Sequence, residues 1–372
     1  MDFDRVDQLM RAGMDTTVFP GAVLLVFKED RIEFFEPYGM SDLFSQTLMT
    51  RETVFDLASL TKPLATTLAV MELVRRSGLC IDRPIGDIIP DFGGTAWNHV
   101  TTRQLLCHSA GFRAYHPYYL QLKDIRDSDH KRTLRQCLLK ESLVYPPGQG
   151  RIYSDIGFMI LEWMIEQFSG YRMDRFLDRN VYVPIGLNGL YFNDLTQAVK
   201  KASYAATEWC SWRHVLLIGQ VHDDNAWIAG GICGHAGLFG SAMEIYRLLV
   251  RLLMDYRFES EDCFFDRSIL CAWFPFQTGA EIAPGFDMPG KNHSSCGQYF
   301  SPHSIGHLGF TGTSFWMDME KGIGVILLTN RVHPSRYSRY NPPLIRTFRP
   351  ALHDGIMRTM GNISPCRPEF SL

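Results

Sequence analysis

The chain has 372 residues, of which 46% are hydrophobic and 21% are charged, and its formal net charge is −3. These values are ordinary for a soluble globular protein, and so small a charge imbalance gives no reason to expect nucleic acid or an acidic membrane as a partner. The most apolar windows, 22–27 and 323–329, are too short to cross a bilayer. The composition therefore argues against a basic nucleic-acid-binding protein and an integral membrane protein.

The N-terminal sequence and the spacing of the cysteines both indicate a protein of a reducing compartment. The N-terminal sequence MDFDRVDQLM contains acids, no basic leader and no long apolar stretch, so it does not have the pattern of a secretory signal. The nine cysteines are odd in number, widely spaced and without a C-x-x-C pair, which argues against a disulfide framework and a zinc knuckle. We therefore expect a cytoplasmic protein whose thiols are reduced and mostly buried.

Segments rich in β-forming residues lie at both ends of the chain. GAVLLVFK at 21–28 and RIEFFEPY at 31–38 flank a two-residue polar break, which predicts an antiparallel hairpin. Strand character returns near the C-terminus at 305–312, 314–318 and 323–329. A sheet built from both termini is therefore the economical architecture.

Helical character fills most of the sequence between these strands. The run over 61–76 is apolar on most faces and ends in a Ser-Gly pair, so it predicts a helix that begins close to Ser59. From about 82 to 220 the pattern is helical with loops. Its better helix candidates are 103–108, 134–139 and 158–168. A closing amphipathic helix is predicted over 345–360, with Pro350 as a kink or a late start.

These elements predict an α+β protein, in which an antiparallel sheet from both termini is flanked by helices and interrupted by a mainly helical insertion. We expect a discontinuous sheet lobe made of residues 1–81 and 221–372 and a mainly helical lobe made of residues 82–220. No internal repeat or low-complexity segment suggests a different organisation.

The first candidate for chemistry is the segment FDLASLTK at 55–62. Ser59 and Lys62 are three positions apart and share one face of the predicted helix. A serine hydroxyl needs a base within hydrogen-bond reach, and a lysine can serve if burial or a nearby cation lowers its pKa. The helix N-terminus would also offer backbone N–H groups to an oxyanion. Taken alone, the pair fits a helix cap followed by a solvated lysine just as well.

A second candidate lies in YPPGQGRIYSDIG at 145–157. Tyr153, Ser154 and Asp155 follow a loop rich in proline and glycine and precede a predicted helix. A tyrosine at that position can point into a cleft and exchange protons with the serine. The alternative for this segment is a tyrosine that simply packs at a helix entrance.

A third candidate is GHLGFTGTS at 306–314, just before two predicted strands. His307, Leu308 and Gly309 would place a polar or cationic side chain on an edge strand facing the serine, and the glycine permits close approach of substrate to the backbone. The next residue, Phe310, would supply a second N–H to an oxyanion. The alternative is an ordinary Gly-rich β-turn with a surface histidine.

Together, Ser-x-x-Lys, Tyr-Ser-Asp and His-x-Gly resemble, in order and separation, the three motifs of the class C β-lactamase and penicillin-binding protein superfamily of serine hydrolases. That superfamily includes D-alanyl-D-alanine carboxypeptidases and esterases of the same fold. Further similar segments are LLCHSAGF at 105–112, VHDDNA at 221–226, GHAGLF at 234–239 and TNRVHP at 329–334. The resemblance runs from about residue 21 to residue 360 and implies a β-lactamase/transpeptidase-like fold with the active site between the two lobes.

The resemblance also implies roles for individual residues. Ser59 would be the acylated nucleophile, Lys62 its general-base partner and Tyr153 the shuttle that moves protons during attack and leaving-group departure. The backbone N–H groups of Ser59 and Phe310 would form the oxyanion hole. The positions expected to bind substrate are Asp155, His307, Leu308 and Gly309.

Two residues depart from the pattern of the superfamily. Asp155 stands where relatives usually have asparagine, so a neutral amide donor is replaced by a group that only accepts hydrogen bonds when ionised, and that group would pair with Lys62. Leu308 stands where relatives usually have threonine, whose hydroxyl helps to bind a substrate carboxylate. These departures favour esters, lactones or amides over penicillins and peptides that end in a free carboxylate.

We therefore expect a serine hydrolase that works without cofactor or metal, through an acyl-enzyme, on ester, amide or β-lactam carbonyls of a small molecule or short peptide. The alternative is a catalytically impaired member that binds acylating ligands or self-assembles without turnover. The sequence leaves the oligomeric state open. The run His222-Asp223-Asp224 is metal-like but lacks a clear third partner, so we predict a structural role for it.

Overall fold

The computed structural model describes residues 2–372 except 126–129, 261, 275–282, 291–293, 338–341, 362–364 and 367–372. The chain divides into two compact units. The sheet unit comprises Met1–Leu57, Lys201–Gly219 and Phe239–Leu372, and the helical unit comprises Ala58–Lys200 and Gln220–Leu238. None of the helices in the described parts has both the length and the apolar character that a membrane span requires.

The strands are short outside one central sheet. They are β1 (Gly21–Lys28), β2 (Arg31–Asp42), β3 (Thr47–Leu48), β4 (Phe55–Asp56), β5 (Tyr191–Phe192), β6 (Trp209–Cys210), β7 (Val215–Leu216), β8 (Leu238–Gly240), β9 (Ser304–Leu308), β10 (Ser314–Asp318) and β11 (Ile323–Thr329). The central sheet is antiparallel and has the order β3-β2-β1-β11-β10-β9, so the N-terminal and C-terminal strands meet where β1 pairs with β11. The sheet built from both termini is therefore confirmed.

The predicted N-terminal hairpin is also confirmed, because β1 and β2 pair antiparallel up to Lys28 and Arg31. One C-terminal strand is shorter than predicted. Strand β9 ends at Leu308 and does not continue to residue 312, because the chain folds into a tight turn in which Gly312 N–H donates to the carbonyl of Gly309 at 3.1 Å. Gly312 has a φ of +107°, a conformation that favours glycine and cannot continue a strand.

The helices are α1 (Asp4–Asp15), α2 (Leu68–Ser77), α3 (Thr102–Leu106), α4 (Tyr119–Leu122), α5 (His130–Leu139), α6 (Asp155–Ser169), α7 (Met173–Leu177), α8 (Asp224–Ile228), α9 (Ala242–Arg257), α10 (Arg267–Trp273) and α11 (Pro342–Thr359). Two π-helical segments, Lys62–Thr67 and Asp178–Tyr182, precede or follow α-helices, and single 3₁₀ turns lie at Ala58–Leu60, Ile85–Asp87, Pro90–Phe92 and Val183–Ile185.

In the sheet unit, the central sheet is covered on both faces. Alternate residues of β1 face opposite sides: Leu24 and Val26 belong to the hydrophobic cluster that also contains side chains of α1 and α11, while Phe27 stacks edge-on against Tyr246 of α9 at 5.3 Å. All but the last residue of β1 are buried, which explains why its sequence is a continuous apolar run and not an alternating one. The sheet is therefore the middle layer between two helical layers, and the predicted α+β class is confirmed.

In the helical unit, α6 is the central element. Its residues Ile156–Ile165 are all buried, and it ends at Gly170, which has a left-handed φ of +73°. The predicted helix at 158–168 is therefore confirmed and begins three residues earlier. Helix α2 ends at Gly78 as predicted, with a φ of +63°.

The observed units differ from the predicted lobes in three places: at 201–219, which belong to the sheet unit, at 221–238, which belong to the helical unit, and in the segment around Ser59. Residues 58–81 group with the helical unit in the structure, whereas the sequence analysis assigned 1–81 to the sheet lobe. The physical reason is that the π-helical segment and α2 pack against α6 and α7, which belong to that unit. That the active site lies between the two lobes stays a prediction.

Candidate active site

Ser59 lies in the 3₁₀ turn Ala58–Leu60, which leads within two residues into the π-helical segment Lys62–Thr67. Ala58 has a φ of +48°, in the left-handed region that residues with a Cβ rarely adopt, and such a conformation costs about 1–3 kcal/mol. π-Helical turns are rare and occur frequently at functional sites. The backbone around Ser59 is therefore held in an unusual conformation on both sides of the hydroxyl.

Lys62 is fully buried, and its ammonium nitrogen is surrounded by oxygen acceptors. Nζ lies 3.1 Å from Oγ of Ser59, 2.7 Å from Oδ1 of Asp155 and 3.2 Å from the carbonyl oxygen of His235. The nitrogen of a protonated lysine only donates hydrogen bonds, so oxygen atoms are suitable partners for it. The ion pair predicted between Lys62 and Asp155 is therefore present.

The charge state of Lys62 is set mainly by two opposing effects. Burial lowers the pKa of the ammonium, but the Asp155 carboxylate and the Tyr153 phenol raise it, and the net result is a pKa above the ordinary value for lysine. Lys62 is therefore an ammonium at neutral pH. This is the opposite direction from the lowered pKa that the sequence analysis required of a lysine base, and the cause is the carboxylate at position 155.

Tyr153 completes the group around Ser59. Its hydroxyl is hydrogen-bonded to Ser59 and to Lys62, and Nζ of Lys62 lies 4.7 Å from the centre of its ring. Burial raises the pKa of Tyr153, the Lys62 ammonium lowers it and Asp155 raises it, so that the net pKa is above the ordinary value. About 40% of the tyrosine is exposed, so one side of this group faces solvent. The structure thus brings a hydroxyl, an ammonium and a phenol into mutual contact.

His108 holds the segment that carries Tyr153. Its Nδ1 accepts the Ser154 N–H at 3.0 Å, its carbonyl accepts the Ile152 N–H at 3.1 Å, and its ring stacks on Tyr153 with 4.5 Å between ring centres. Because Nδ1 is an acceptor, the proton of the neutral ring is on Nε2. His108 therefore fixes the backbone of the segment before α6 through hydrogen bonds.

A buried ion pair lies behind Lys62. Nε2 of His235 is 2.8 Å from Oδ1 of Asp223, which also accepts the Ala226 N–H at 2.7 Å. Burial opposes both charges, yet the attraction lowers the pKa of Asp223 and raises that of His235 well above the ordinary value. The pair is therefore a carboxylate and an imidazolium. This supports the structural role predicted for Asp223, whereas its partner His235 could be found only from the fold.

Asp155, Asp223 and His235 are also the described residues whose ligand atoms, all within 4.8 Å of one another, could hold a metal ion. Each of the three is already engaged in the structure, since Asp155 binds the Lys62 ammonium and Asp223 binds His235. A divalent cation would have to displace both contacts. The arrangement therefore fits a network of paired charges better than a metal centre.

The segment 234–238 fixes the helix that follows Ser59. Thr66 donates its hydroxyl to the carbonyl of Gly234 at 2.6 Å, and the Leu238 N–H donates to Oγ1 of Thr61 at 3.1 Å. Gly234 itself must be glycine, because a Cβ there would lie 2.1 Å from the carbonyl oxygen of Phe158. In the sequence this segment is marked only by its similarity to the superfamily. In the structure it also supplies the His235 carbonyl to Lys62.

The third motif lies in the sheet unit, on the edge strand β9 and the turn after it. His307 is buried and its Nδ1 lies 2.9 Å from the carbonyl oxygen of Leu308. Leu308 is half-buried, Gly309 is buried and Phe310 is 48% exposed. The predicted edge-strand position of the motif is confirmed, and the predicted orientation toward Ser59 stays a prediction.

Comparison with known proteins gives a consistent result. The sequence profile of the family described as Beta-lactamase matches residues 6–348. A protein of Salmonella agona provisionally named a D-alanyl-D-alanine carboxypeptidase is 30% identical over 357 residues, which covers 87% of this chain and 82% of that protein. An Escherichia coli K12 protein of the same provisional name is 28% identical over 359 residues, covering 88% and 82% of the two chains.

Solved structures show the same fold. An octameric penicillin-binding protein homologue from Pyrococcus abyssi superposes with a TM-score of 0.72 at 22% identity, covering 95% of this chain and 78% of that one. EstCE1, a hydrolase with promiscuous acyltransferase activity, superposes with a TM-score of 0.72 at 21% identity and covers 93% and 97% of the two chains. The fold is thus β-lactamase/transpeptidase-like, and this chain belongs to the β-lactamase family.

Proposed function

We propose that the protein is a serine hydrolase that acts through an acyl-enzyme, with Ser59 as the nucleophile. The observation that carries this proposal is the contact of the Ser59 hydroxyl with Nζ of Lys62 at 3.1 Å and with the Tyr153 hydroxyl. A serine that touches two groups able to exchange protons, beside a partly exposed tyrosine, has what acyl transfer requires of its nucleophile. Ester, amide and β-lactam carbonyls are the substrate classes that this chemistry admits.

The proton path follows from the charges around Lys62. Because Asp155 keeps Lys62 protonated, the reactive form is the one in which the Lys62–Tyr153 pair has lost one proton, with the ammonium stabilising a phenolate. The Ser59 O–H bond then breaks as its oxygen bonds to the substrate carbonyl carbon, and the proton goes to the oxygen of Tyr153. Tyr153 returns that proton to the leaving group, and water later repeats the sequence to release the acid.

The negative charge that develops on the carbonyl oxygen of the substrate must be stabilised by hydrogen-bond donors. We assign this role to the backbone N–H groups of Ser59 and Phe310, as the family resemblance implies. His307 and Gly309 would line the substrate site from the edge strand β9. Leu308 brings no hydroxyl for a substrate carboxylate, which favours small esters, lactones or amides over peptides that end in a free carboxylate.

The relatives point to two of these substrate classes. The provisional carboxypeptidase name of the curated relatives suggests short D-amino-acid peptides, and the acyltransferase activity named for EstCE1 suggests esters. The ester reaction agrees better with Leu308. A small molecule or short peptide is the expected substrate in either case.

A catalytically impaired binding protein is the second candidate. It is favoured by the Lys62–Asp155 ion pair, because an ammonium cannot accept the serine proton and the net pKa of Tyr153 is also raised. In this case acylating ligands would react slowly or be retained, and no turnover would follow.

Probe labelling and turnover separate the two candidates. The native protein would be incubated with a fluorophosphonate probe, p-nitrophenyl acetate, a D-alanyl-D-alanine peptide and a chromogenic cephalosporin. The hydrolase proposal expects labelling and ester hydrolysis that are both lost in Ser59→Ala and retained in Ser77→Ala, which alters an exposed serine at the end of α2. Labelling without turnover supports the binding protein, and hydrolysis that survives in Ser59→Ala refutes the assigned nucleophile.

A further inference from the structure

The turn that follows strand β9 has nearly all of its carbonyls bound. This turn, Gly309–Thr313, carries Phe310, whose N–H the proposed function assigns to the oxyanion hole. The carbonyl of Gly309 accepts the Gly312 N–H at 3.1 Å, and the carbonyl of Gly312 accepts the Thr329 hydroxyl at 3.1 Å. The carbonyl of Thr313 accepts the Gly309 N–H at 2.7 Å. The turn is therefore fixed internally by hydrogen bonds, and its orientation depends on its contacts with residues outside the turn.

Two outer contacts of the turn come from buried arginines. Nη2 of Arg331 donates to the carbonyl of Phe310, and Nη2 of Arg349 donates to the carbonyl of Thr313 at 2.9 Å. The guanidinium carbon of Arg331 also lies 5.1 Å from the centre of the Phe310 ring. Each arginine is 5% exposed. Charge-assisted donors of this kind are about twice as strong as neutral ones, so they fix the carbonyls they reach.

Neither guanidinium has a carboxylate partner within the part of the chain that the structure describes. Nε and Nη1 of Arg331 and Nε of Arg349 have no hydrogen-bond partner there. Burial lowers the pKa of Arg331 to about 10, with a further lowering by the neighbouring Arg346, and burial and Arg331 lower that of Arg349 to about 9. Buried charges are normally paired, because an unpaired buried charge is strongly destabilising. Two uncompensated cations beside one turn therefore need an explanation other than stability.

We propose that Arg331 is a positioning residue for the oxyanion turn: its guanidinium fixes the Phe310 carbonyl, and its unpaired charge, reinforced by Arg349, favours negative charge at the turn. This inference rests on the proposed function, which places the Phe310 N–H in the oxyanion hole. A fixed donor in a field of positive potential stabilises an oxyanion without reorganisation during the reaction. Because neither guanidinium forms an ion pair with a carboxylate among the described residues, direct pairing does not cancel the positive potential at the turn.

The arrangement around Arg336 provides a matched control. Arg336 also lies over the Phe310 ring, at 5.8 Å, but its Nε is paired with Glu208 at 2.7 Å. It therefore has the same aromatic neighbour as Arg331 with its charge compensated. Arg336→Met removes a cation from the ring and leaves the cation bound to the Phe310 carbonyl in place.

The test compares Arg331→Met, Arg331→Lys and Arg336→Met in ester hydrolysis and in binding of an arylboronic acid, which forms a tetrahedral anionic adduct with a reactive serine. We expect Arg331→Met to lower kcat by at least about tenfold with little change in KM. The boronate affinity should fall by the same factor, because it measures binding of the tetrahedral anion. Arg331→Lys should recover part of both losses, and Arg336→Met should change neither.

Hydrogen exchange of the peptide containing Gly309–Thr313 provides a readout that does not require activity. Faster exchange in Arg331→Met but not in Arg336→Met supports the positioning role, and unchanged exchange overturns it. If Arg331→Met does not fold, Arg331→Gln, which keeps an N–H donor without the charge, takes its place in each measurement. The inference is also overturned if the wild type is active and Arg331→Met has the same kcat. It is overturned as well if Arg331→Met raises KM by the same factor by which it lowers kcat. A wild type that neither labels nor hydrolyses refutes the proposed function instead.

Discussion

Replacing Asp155 by asparagine isolates the charge of the carboxylate beside Lys62, because the amide has nearly the same size and keeps an oxygen for the hydrogen bond. Burial lowers the pKa of Lys62 and raises that of Tyr153, and the carboxylate raises both. We therefore expect Asp155→Asn to lower the pH at which the Lys62–Tyr153 pair loses the proton that must leave before Ser59 can attack.

The size of the effect follows from the geometry of the ion pair. Nζ of Lys62 lies 2.7 Å from Oδ1 of Asp155, and the two side chains are 0% and 19% exposed. At an effective dielectric constant of about 20, opposite charges at this distance attract by about 6 kcal/mol, which is an upper limit before desolvation is considered. Measured shifts for such neighbours are about 1–3 pKa units. The variant should therefore titrate about 1–3 units lower.

The assay is the pH dependence of kcat/KM for an ester substrate between pH 5 and pH 10, with non-enzymatic hydrolysis subtracted. For the wild type, kcat/KM should rise with pH as expected for the loss of a single proton. For Asp155→Asn, the same rise in kcat/KM should occur at lower pH. Its kcat/KM at pH 7 should exceed that of the wild type by about tenfold or more. Asp87→Asn, which removes an exposed carboxylate of the same unit, should leave the profile unmoved. An unmoved limb in Asp155→Asn refutes the proton path.

Two further predictions concern stability. Asp223→Asn should destabilise the protein by about 3 kcal/mol at pH 7 in urea unfolding, because it leaves the His235 imidazolium buried without its partner, and the lower end of the usual cost applies since Asp223 is 25% exposed. The pKa of Asp223 is lowered in the fold, so the contribution of this carboxylate is lost as the pH falls below about 4. A difference that persists undiminished at pH 2 contradicts the pairing. Burial raises the pKa of Glu162 above its ordinary value, so the wild type should lose stability as the pH rises above about 4.5. Glu162→Gln should lack this decline in thermal unfolding followed over the same pH range.

The elements that the sequence predicted well are those fixed by local signals. The hairpin of β1 and β2 follows from two β-rich runs around a polar pair, and the end of α2 follows from Gly78. Helix α1 was not predicted, although Val6 and Met10 are one helical turn apart and both are buried against the sheet.

The π-helical geometry after Ser59 could not be predicted from its residues. Lys62–Thr67 contains ordinary helix-compatible side chains after Pro63, and the wider turn is accompanied by hydrogen bonds to a segment about 170 positions away in the sequence. The charge state of Lys62 was equally hidden. Its net pKa depends on complete burial and on the carboxylate of Asp155, and only the fold defines that distance.

Threonine hydroxyls hold the chain that leads into Ser59. In the sheet unit, Thr311 donates to the carbonyl of Asp56 at 2.8 Å, and Thr313 donates to the carbonyl of Leu57 at 3.0 Å. Both donors belong to the turn that Arg331 and Arg349 bind. The turn proposed to carry one oxyanion donor therefore also anchors the two residues just before Ala58.

Threonines also hold the chain after Ser59. In the helical unit, Thr61 donates to the carbonyl of Ala58 at 2.6 Å and accepts from Leu238, while Thr66 is bound to Gly234. The left-handed conformation of Ala58 costs free energy, so it persists only where contacts on both sides determine it. Each threonine hydroxyl binds a backbone group and not a substrate, so these residues act on Ser59 through the backbone. A sequence motif for catalytic side chains therefore does not include them.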